Sequence, residues 1–561
     1  MALERAIPER ESLTVEFKSD LRRLADAELV AAAVCLANTD GGAIYLGVED
    51  DGTITGLHAE HRNLAGLSAM IANRTSPPLS VRATTLLEAD APVARIEVPR
   101  SLRPVATSDG LLQRRRLQAD GTPQCQPFYP HEFAGRQSDL GLLDYSALPI
   151  VGASEADFDP LERERLRQMI ERYGGDRTLL ALSDEELDGA LGFMRHEAGV
   201  RTPTVTGLLV LGREGAIRQH LPTHEVAFQV LDGTTVRAND FYRGSLLRIF
   251  ERVYEQFLAR VTEDELQFGL FRVPVPSYDQ RAFREALVNA LIHRDYTRLG
   301  AIHVRWEQDG IVVSNPGGFV EGVTLENLLV TEPRPRNPSL ADAIKRIGLA
   351  ERTGRGVDLI YQGLLRYGRP APDYSRSDRH LVLVALPGGE ADFGLLRTIL
   401  TEEQRSQSTL PIDALIALTQ LRDQRRIDAQ SLARAIQRDE ATARRVLERL
   451  VEDGLVEAHS IGAGRTYTLS SSIYQQFGQT AEYVRQEAFS DIQRDQMIQR
   501  YVELNGKITR QEVMTLCRVG ADKAKRLLDR LTRRHILQRV GSNRATYYVL
   551  SVVPASEIRG E

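Results

Sequence analysis

The sequence predicts a chain of several mixed α/β and α+β domains, ending in two copies of one small helix-and-strand unit. Three observations carry that prediction. At 561 residues the chain has room for three to four domains. Near its centre a helix with a polar stripe is followed by a β-hairpin and a Gly-rich turn. Towards its end a series of apolar residues recurs 81 positions later without a gap.

Composition narrows the function classes. Hydrophobic residues make up 42% and charged residues 26%, as in ordinary globular proteins. The net charge of −6 argues against a generic polyanion binder, so any nucleic-acid surface must be local. Cys35, Cys125 and Cys517 lie too far apart for a zinc motif or a disulfide framework, which fits a reducing cytoplasm. The first residues lack a signal-peptide core, and no apolar run approaches membrane-spanning length. No membrane partner is expected.

The first domain is expected over residues 1–140. From Glu11 to Lys18, Leu13, Val15 and Phe17 alternate with polar residues, which predicts a strand. Ala25 to Asn38 reads as a helix that Gly41-Gly42 stops, and Ala43 to Val48 as an apolar strand turned by Asp50-Asp51-Gly52. Glu11, Glu16, Glu49 and Asp50 are carboxylates that, if brought together, could hold Mg²⁺ or Mn²⁺ and activate water against a phosphodiester. Five positions along a regular strand face opposite ways, so Glu11 and Glu16 can share a site only if a turn or bulge lies near Ser12. On that reading Glu16→Gln leaves stability unchanged or raises it. The plain alternative is a Glu16–Lys18 ion pair beside an ordinary Asp-Gly turn. Lys18, Arg114, Arg115 and Arg116 are candidate phosphate contacts.

Residues 141–392 form the second expected domain. Gly174-Gly175 interrupts helices, Ser183 to Glu186 has a capping-box pattern, and Thr206–Gly212 and Glu225–Leu231 read as strands. Glu285, Asn289 and His293 recur every four residues on the helix from Arg284 to Tyr296, forming a polar stripe on an apolar helix. A buried polar stripe must be hydrogen-bonded or face a ligand. Ile302, Val304 and Trp306 predict a strand that turns at Asp309-Gly310 into Ile311–Val313 and ends in Asn315-Pro316-Gly317-Gly318. The Pro333–Pro338 stretch is too Pro-rich for regular structure and reads as a lid. Glu351 to Val357 is a Gly-rich turn opening a helix, where backbone N–H groups can cradle phosphates.

Two further units are expected at 393–478 and 479–561. Ile427, Leu432, Val446, Leu447, Leu450, Leu455, Tyr467 and Leu469 are matched 81 residues on by Ile508, Val513, Leu527, Leu528, Leu531, Ile536, Tyr548 and Leu550. Each copy has a short helix, a longer helix and two strand-like pieces around a polar loop, which is winged-helix patterning. The second copy is the more basic. Lys523, Lys525, Arg526 and Arg530 on its long helix, with Arg544 in its loop, are candidate DNA contacts.

These motifs, in this order, resemble a known family. ExxxxEFK, ANTDGG and GVEDDG are similar to the Schlafen AlbA_2 domain. The stripe, the NPGG strand end and the Gly-rich turn resemble the divergent GHKL-type ATP-binding sandwich of bacterial transcriptional regulators that carry AlbA_2 at their N-terminus. The resemblance implies ATP with Mg²⁺ held by Asn289, water positioned by Glu285, and His293 beside them. It implies phosphates touched by Gly354 and Gly356, and Gly317, Gly318 and Arg336 as part of the site. Asn315 stands where the broader superfamily has an Asp that reads adenine, so neither adenine specificity nor hydrolysis follows from the resemblance. The expected protein is a cytoplasmic, homo-oligomeric, ATP-binding regulator of nucleic acid, with DNA the first choice and RNA the second. The other class is a Schlafen-like metal-dependent nuclease acting on tRNA or DNA, gated by ATP and used in phage defence, with Glu11, Glu16 and Glu49 or Asp50 as its centre.

Overall fold

A computed structural model describes residues 7–88, 91–118, 120–197, 199–351, 354–459, 465–470, 473, 494–495, 497–503, 505–517, 519–541 and 546–551. They fall into two compact units. One is built on the chain up to Leu148 with 295–298 and 336–338, and the other on the remainder. Among the described residues no helix is long and apolar enough to cross a membrane.

In the first unit Val15–Lys18 pairs in parallel with Gly42–Leu46. That strand pairs antiparallel with Ala91–Val98, which pairs antiparallel with Arg82–Glu88. The helix Asp26–Ala37 covers one face, where Leu29, Ala33 and Leu36 are buried with Ile44 and Ile96. The other face buries Phe17, Tyr45 and Val93. Period-two alternation in these strands is what divides their side chains between the two cores.

The ANTDGG segment is a structural latch. The Asn38 amide donates to the carbonyls of Val105 and Gln113 and accepts the N–H of Val105, while the Thr39 hydroxyl donates to Cys35 O and accepts the N–H of Arg115. Gly42, at φ +136°, passes so close to Thr14 that a Cβ would lie 2.0 Å from its carbonyl oxygen, so only glycine fits. The expectation that these cysteines form no disulfide framework is corrected: Cys35 and Cys125 form a disulfide, with Cα atoms 5.9 Å apart. The hairpin Gln113–Leu117/Pro123–Pro127 brings Cys125 onto the helix that carries Cys35, a long-range pairing that spacing cannot reveal.

The second unit is organised on a five-stranded sheet. Its order is Thr235–Tyr242, Val226–Asp232, Ile302–Glu307, Gly310–Pro316 and Leu381–Pro387, with one parallel pair between Val226–Asp232 and Ile302–Glu307. Every residue of Gly310–Pro316 is buried, as befits an inner strand. The stripe helix spans Gln280–His293, capped by Asp279, whose carboxylate accepts the N–H of Ala282. Phe283 stacks on Phe257 at 3.9 Å, and Phe257 and Tyr278 meet Trp306, which fixes the helix against the sheet. Segment Thr206–Gly212 is a correction: Val205–Leu211 is a fully buried helix capped by Thr204, not a strand. A short apolar run bears no periodicity that separates the two. The capping box at Ser183 and the left-handed stop at Gly174 form as read.

The repeat holds element by element. Helices Ala429–Ala435 and Glu440–Glu452 and strands Val456–His459 and Thr466–Leu469 recur 81 residues on as Arg510–Cys517, Ala521–Arg533, Leu537–Val540 and Tyr547–Leu550. The bridge between Ile427 and Tyr467 recurs between Ile508 and Tyr548. The first copy buries its predicted leucines in a core that also takes in Leu365, Leu395 and Ile399, and the second buries Leu527, Leu528 and Leu531 with Leu550 packed against them.

Candidate functional site

The stripe helix meets the helix Gly356–Leu365 at two glycines on one face. A Cβ on Gly363 would lie 2.8 Å from Ala282 Cβ and Asp279 Oδ1. On Gly356 it would lie 3.1 Å from Glu285 Oε2 and 3.3 Å from Asn289 Nδ2. Seven residues apart, both glycines face the stripe helix. They let backbone lie directly over the Glu285 and Asn289 side chains, which become the floor of a cavity of about 430 Å³.

Of the predicted residues, Glu285, Asn289, His293 and Asn315 line this cavity, and so do Gly318, Gly354 and Gly356. Glu285 is buried at 1% exposure, which pushes its carboxyl pKa up; Arg284, 3.4 Å away, opposes the shift and Glu351 adds to it. Asn315 is buried and donates its amide N–H to Pro316 O at 3.3 Å. An amide in place of a carboxylate presents both a donor and an acceptor at this position. Gly354 sits at φ +78° with Pro333 packed against it, so the Pro-rich segment walls the cavity. Arg352 and Thr353 of the Gly-rich turn lie outside the described residues.

Two predicted members are placed elsewhere. Gly317, at φ +96°, donates its N–H to His380 O and extends the sheet. Arg336 is 2% exposed and ion-pairs with Asp139 and Asp295 inside the first unit, so its charge serves that fold and not the cavity. The cations that do line the cavity include Arg334, Lys345 and Arg438. Sequence reasoning missed Lys345 and Arg438, since neither stands in a motif.

In the first unit the turn near Ser12 exists, with Ser12 bridged to Val15. It brings Glu11 and Glu16 to one place, but the cation there is Arg115. Its guanidinium lies 3.4 Å from Glu11 Oε2, contacts Glu16 Oε2, and donates to Ser12 O and Val15 O. Burial pulls the Arg115 pKa down, and the Glu11 carboxylate pushes it back. Arg115 is therefore corrected from surface phosphate contact to buried partner of two carboxylates. The expected convergence with Glu49 and Asp50 is corrected as well. Glu49 accepts the Thr55 hydroxyl at 2.6 Å within the turn, and Asp50 is exposed. Among the described residues no three His, Cys, Asp or Glu side chains gather as a metal site would require. Lys18 pairs with Glu16, which is buried rather than at the surface, and Arg114 and Arg116 both pair with Glu132. Sequence reasoning also passed over Asp20, fully buried, which accepts the N–H groups of Leu24 and His58 and pairs with His61.

On the second repeat, Lys525 and Arg526 are exposed along Ala521–Arg533, and Lys523 is half-buried. Arg530 is half-buried and ion-pairs with Asp495 at 2.7 Å. Arg518, Arg544 and the loop residues 461–464 and 542–545 lie outside the described residues.

The fold and cavity define a class, a helix-on-sheet domain with a cavity under its stripe helix, preceded in the chain by a second α/β domain. The comparisons supply the families. Residues 11–120 match the family "Schlafen, AlbA_2" and residues 300–385 match "Putative ATP-dependent DNA helicase recG C-terminal", a GHKL-like ATPase-type domain, which bears out the resemblance drawn from the motifs. Residues 136–227 match a domain of unknown function. No curated protein matches the chain. The crystal structure of the DIP2311 protein from Corynebacterium diphtheriae shares the fold at 24% identity and a TM-score of 0.50, covering 83% of this chain and 94% of that one.

Proposed function

We propose that the chain is a nucleotide-binding regulator of nucleic acid, taking ATP with Mg²⁺ in the central cavity and duplex DNA on the second C-terminal repeat. The observation that carries the nucleotide reading is Gly356: its backbone lies over Glu285 and Asn289, where any Cβ would intrude. The donor set fits the group. Asn289 offers a neutral oxygen to a hard cation that otherwise keeps waters and phosphate oxygens as ligands. The first N–H groups of the Gly356–Leu365 helix have no partner within the helix, and such groups can take phosphates. Glu285, its pKa raised by burial, is suited to hold a water and accept its proton. Bound Mg²⁺ would neutralise phosphate charge. Both repeats combine a short helix, a long helix and a hairpin, which supports reading them as winged helices, with the exposed Lys525 and Arg526 of the second on DNA. A transcription regulator is the role these parts serve together. Calorimetry of the full chain with MgATP tests the reading: wild type binds and Asn289→Ala binds more weakly, whereas equal affinity removes the assignment.

A further inference from the structure

The first repeat forms part of the wall of the cavity. Arg438, in the turn between Ala429–Ala435 and Glu440–Glu452, lines it together with the segment Leu328–Thr331. The preceding residue binds that segment: Gln437 Oε1 accepts the N–H of Leu329 and Gln437 Nε2 donates to Leu325 O, both at 2.7 Å. Behind them, Leu329, Tyr361 and Leu365 pack into the core of the repeat, so the helix that opens at Gly356 and the repeat share one apolar core.

The backbone at this point is unusual in a way that needs a reason. The helix Ala429–Ala435 ends in a Schellman motif, with Arg438 N–H on Ala433 O and Gln437 N–H on Arg434 O. The left-handed position of that motif normally belongs to glycine, yet here it holds Gln437 at φ +56°. A glycine would relieve the backbone and lose both bonds to the 325–329 segment. The residue kept is the one whose side chain ties the repeat to the cavity wall. Gln407, Arg425 and His535 share this left-handed backbone, so what singles out Gln437 is its pair of side-chain bonds to the 325–329 segment.

Arg438 is the cation this tie presents. Its side chain is 43% exposed, pairs with Asp413 at 3.2 Å, and acts on Asp358 in the first turn of the Gly356–Leu365 helix. That turn is where phosphates would meet backbone N–H groups. Arg334, by contrast, donates to Glu321 O and lies against Gly322.

We propose that Arg438 binds the polyphosphate of a nucleoside triphosphate in the cavity, so that the ligand joins the central domain to the first C-terminal repeat. The proposal rests on the nucleotide reading above. An arginine reached from the repeat makes occupancy by triphosphate, and not by nucleoside, the event that fixes the repeat in place.

The test is calorimetry of the full chain with MgATP and with AMP, for wild type, Arg438→Gln, Arg438→Lys and Asp413→Asn. Arg438→Gln is expected to weaken MgATP by roughly 10- to 100-fold, the worth of one charged hydrogen bond, and to leave AMP unchanged. Arg438→Lys recovers part of the loss. Asp413→Asn breaks the ion pair but keeps the cation, and retains the wild-type preference for triphosphate. Amide exchange at Leu329 slows with MgATP in wild type and not in Arg438→Gln. If Arg438→Gln binds MgATP like wild type, or weakens MgATP and AMP equally, Arg438 is only structural and the proposal falls. If the wild type binds no nucleotide, the underlying nucleotide reading falls with it.

Discussion

Replacing Gly356 by alanine separates the stability of the central domain from its capacity to bind nucleotide. Gly356 is not in the left-handed region, so alanine is accepted by the backbone. It stands at the first position of its helix, where alanine brings a fraction of the roughly 1 kcal/mol it gains over glycine in a helix interior. The added methyl would sit 3.1 Å from Glu285 Oε2, 3.3 Å from Asn289 Nδ2 and 3.5 Å from Asn289 Oδ1. Ordinary van der Waals separation is longer, so both side chains must withdraw by several tenths of an ångström, and the methyl covers them. Mg²⁺ demands near-ideal ligand distances of about 2.0–2.1 Å and does not follow such a shift. Removing one charge-assisted interaction, about 2 kcal/mol, weakens affinity about 30-fold. Gly356→Ala should therefore melt within a degree or two of wild type, or above it, and bind MgATP at least about 30-fold more weakly in calorimetry. Gly363→Ala is the contrast: its methyl would lie 2.8 Å from Ala282 Cβ, so it costs about 1–3 kcal/mol of stability by overpacking. If Gly356→Ala folds like wild type and binds MgATP equally well, the cavity floor is not where the nucleotide sits.

Three further outcomes are expected. His224 is fully buried, donates from Nε2 to Gly244 O, and burial lowers its pKa to about 4, with Arg294 adding to the shift. Because the folded pKa lies below the unfolded one, this contribution is present above pH 6.5 and is lost as pH falls from there to about 4; it amounts to about 3 kcal/mol, and His224→Gln should flatten that part of the stability profile. Reversing Lys525 and Arg526 to Glu should weaken duplex DNA binding and reduce the log–log salt slope by roughly 0.9 for each phosphate no longer neutralised, as read by fluorescence anisotropy across salt concentrations; an unchanged slope would take the second repeat out of DNA recognition. Glu16→Gln should destabilise the first unit by about 3 kcal/mol in chemical denaturation, near the lower limit for breaking a buried pair because Glu11 stays on Arg115; the unchanged or raised stability expected of a metal-free carboxylate cluster would contradict the ion-pair assignment.

What was legible in the sequence was what local chemistry dictates. The stripe at a spacing of four and the hairpin each follow from a period or a backbone requirement within a few residues, and each forms, while the helix that the Gly-rich turn was read as opening begins at Gly356. The repeat was legible because two copies with one spacing check each other. Long-range pairing was not. Arg115 and Arg336 look like surface cations in a string of letters, yet each is buried against carboxylates that other elements bring to it. Cys35 and Cys125 are 90 residues apart and meet only because a hairpin folds over a helix. Asn38 and Thr39 did carry a signal: two polar residues close an apolar helix, and buried polar groups need partners. Gln437 carried none, since its role appears only once its φ angle and its two bonds to the 325–329 segment are known.

The two carboxylates of the first unit show how one spacing supports opposite chemistries. Glu11 and Glu16 do come together, as a metal site would need, and the turn that brings them together is at Ser12. A divalent ion and a guanidinium both satisfy that convergence, but they differ in what else they require. An ion needs further oxygen ligands and open positions for water. A guanidinium needs acceptors in its own plane, and Arg115 finds them in Ser12 O and Val15 O besides the two glutamates. Glu49, the nearest third ligand by sequence, is committed to Thr55, and Glu16 is shared with Lys18. The same residues that suggested hydrolysis thus fasten the hairpin Gln113–Leu117/Pro123–Pro127 to the first strand, beside the disulfide that fastens it to the helix. Two independent ties on one hairpin hold Arg114 and Arg116, either side of the buried Arg115, in fixed positions on Glu132. A basic run that reads as a binding surface is here the framework of the domain, which leaves the exposed Lys525 and Arg526 of the second repeat as the cations the DNA proposal rests on.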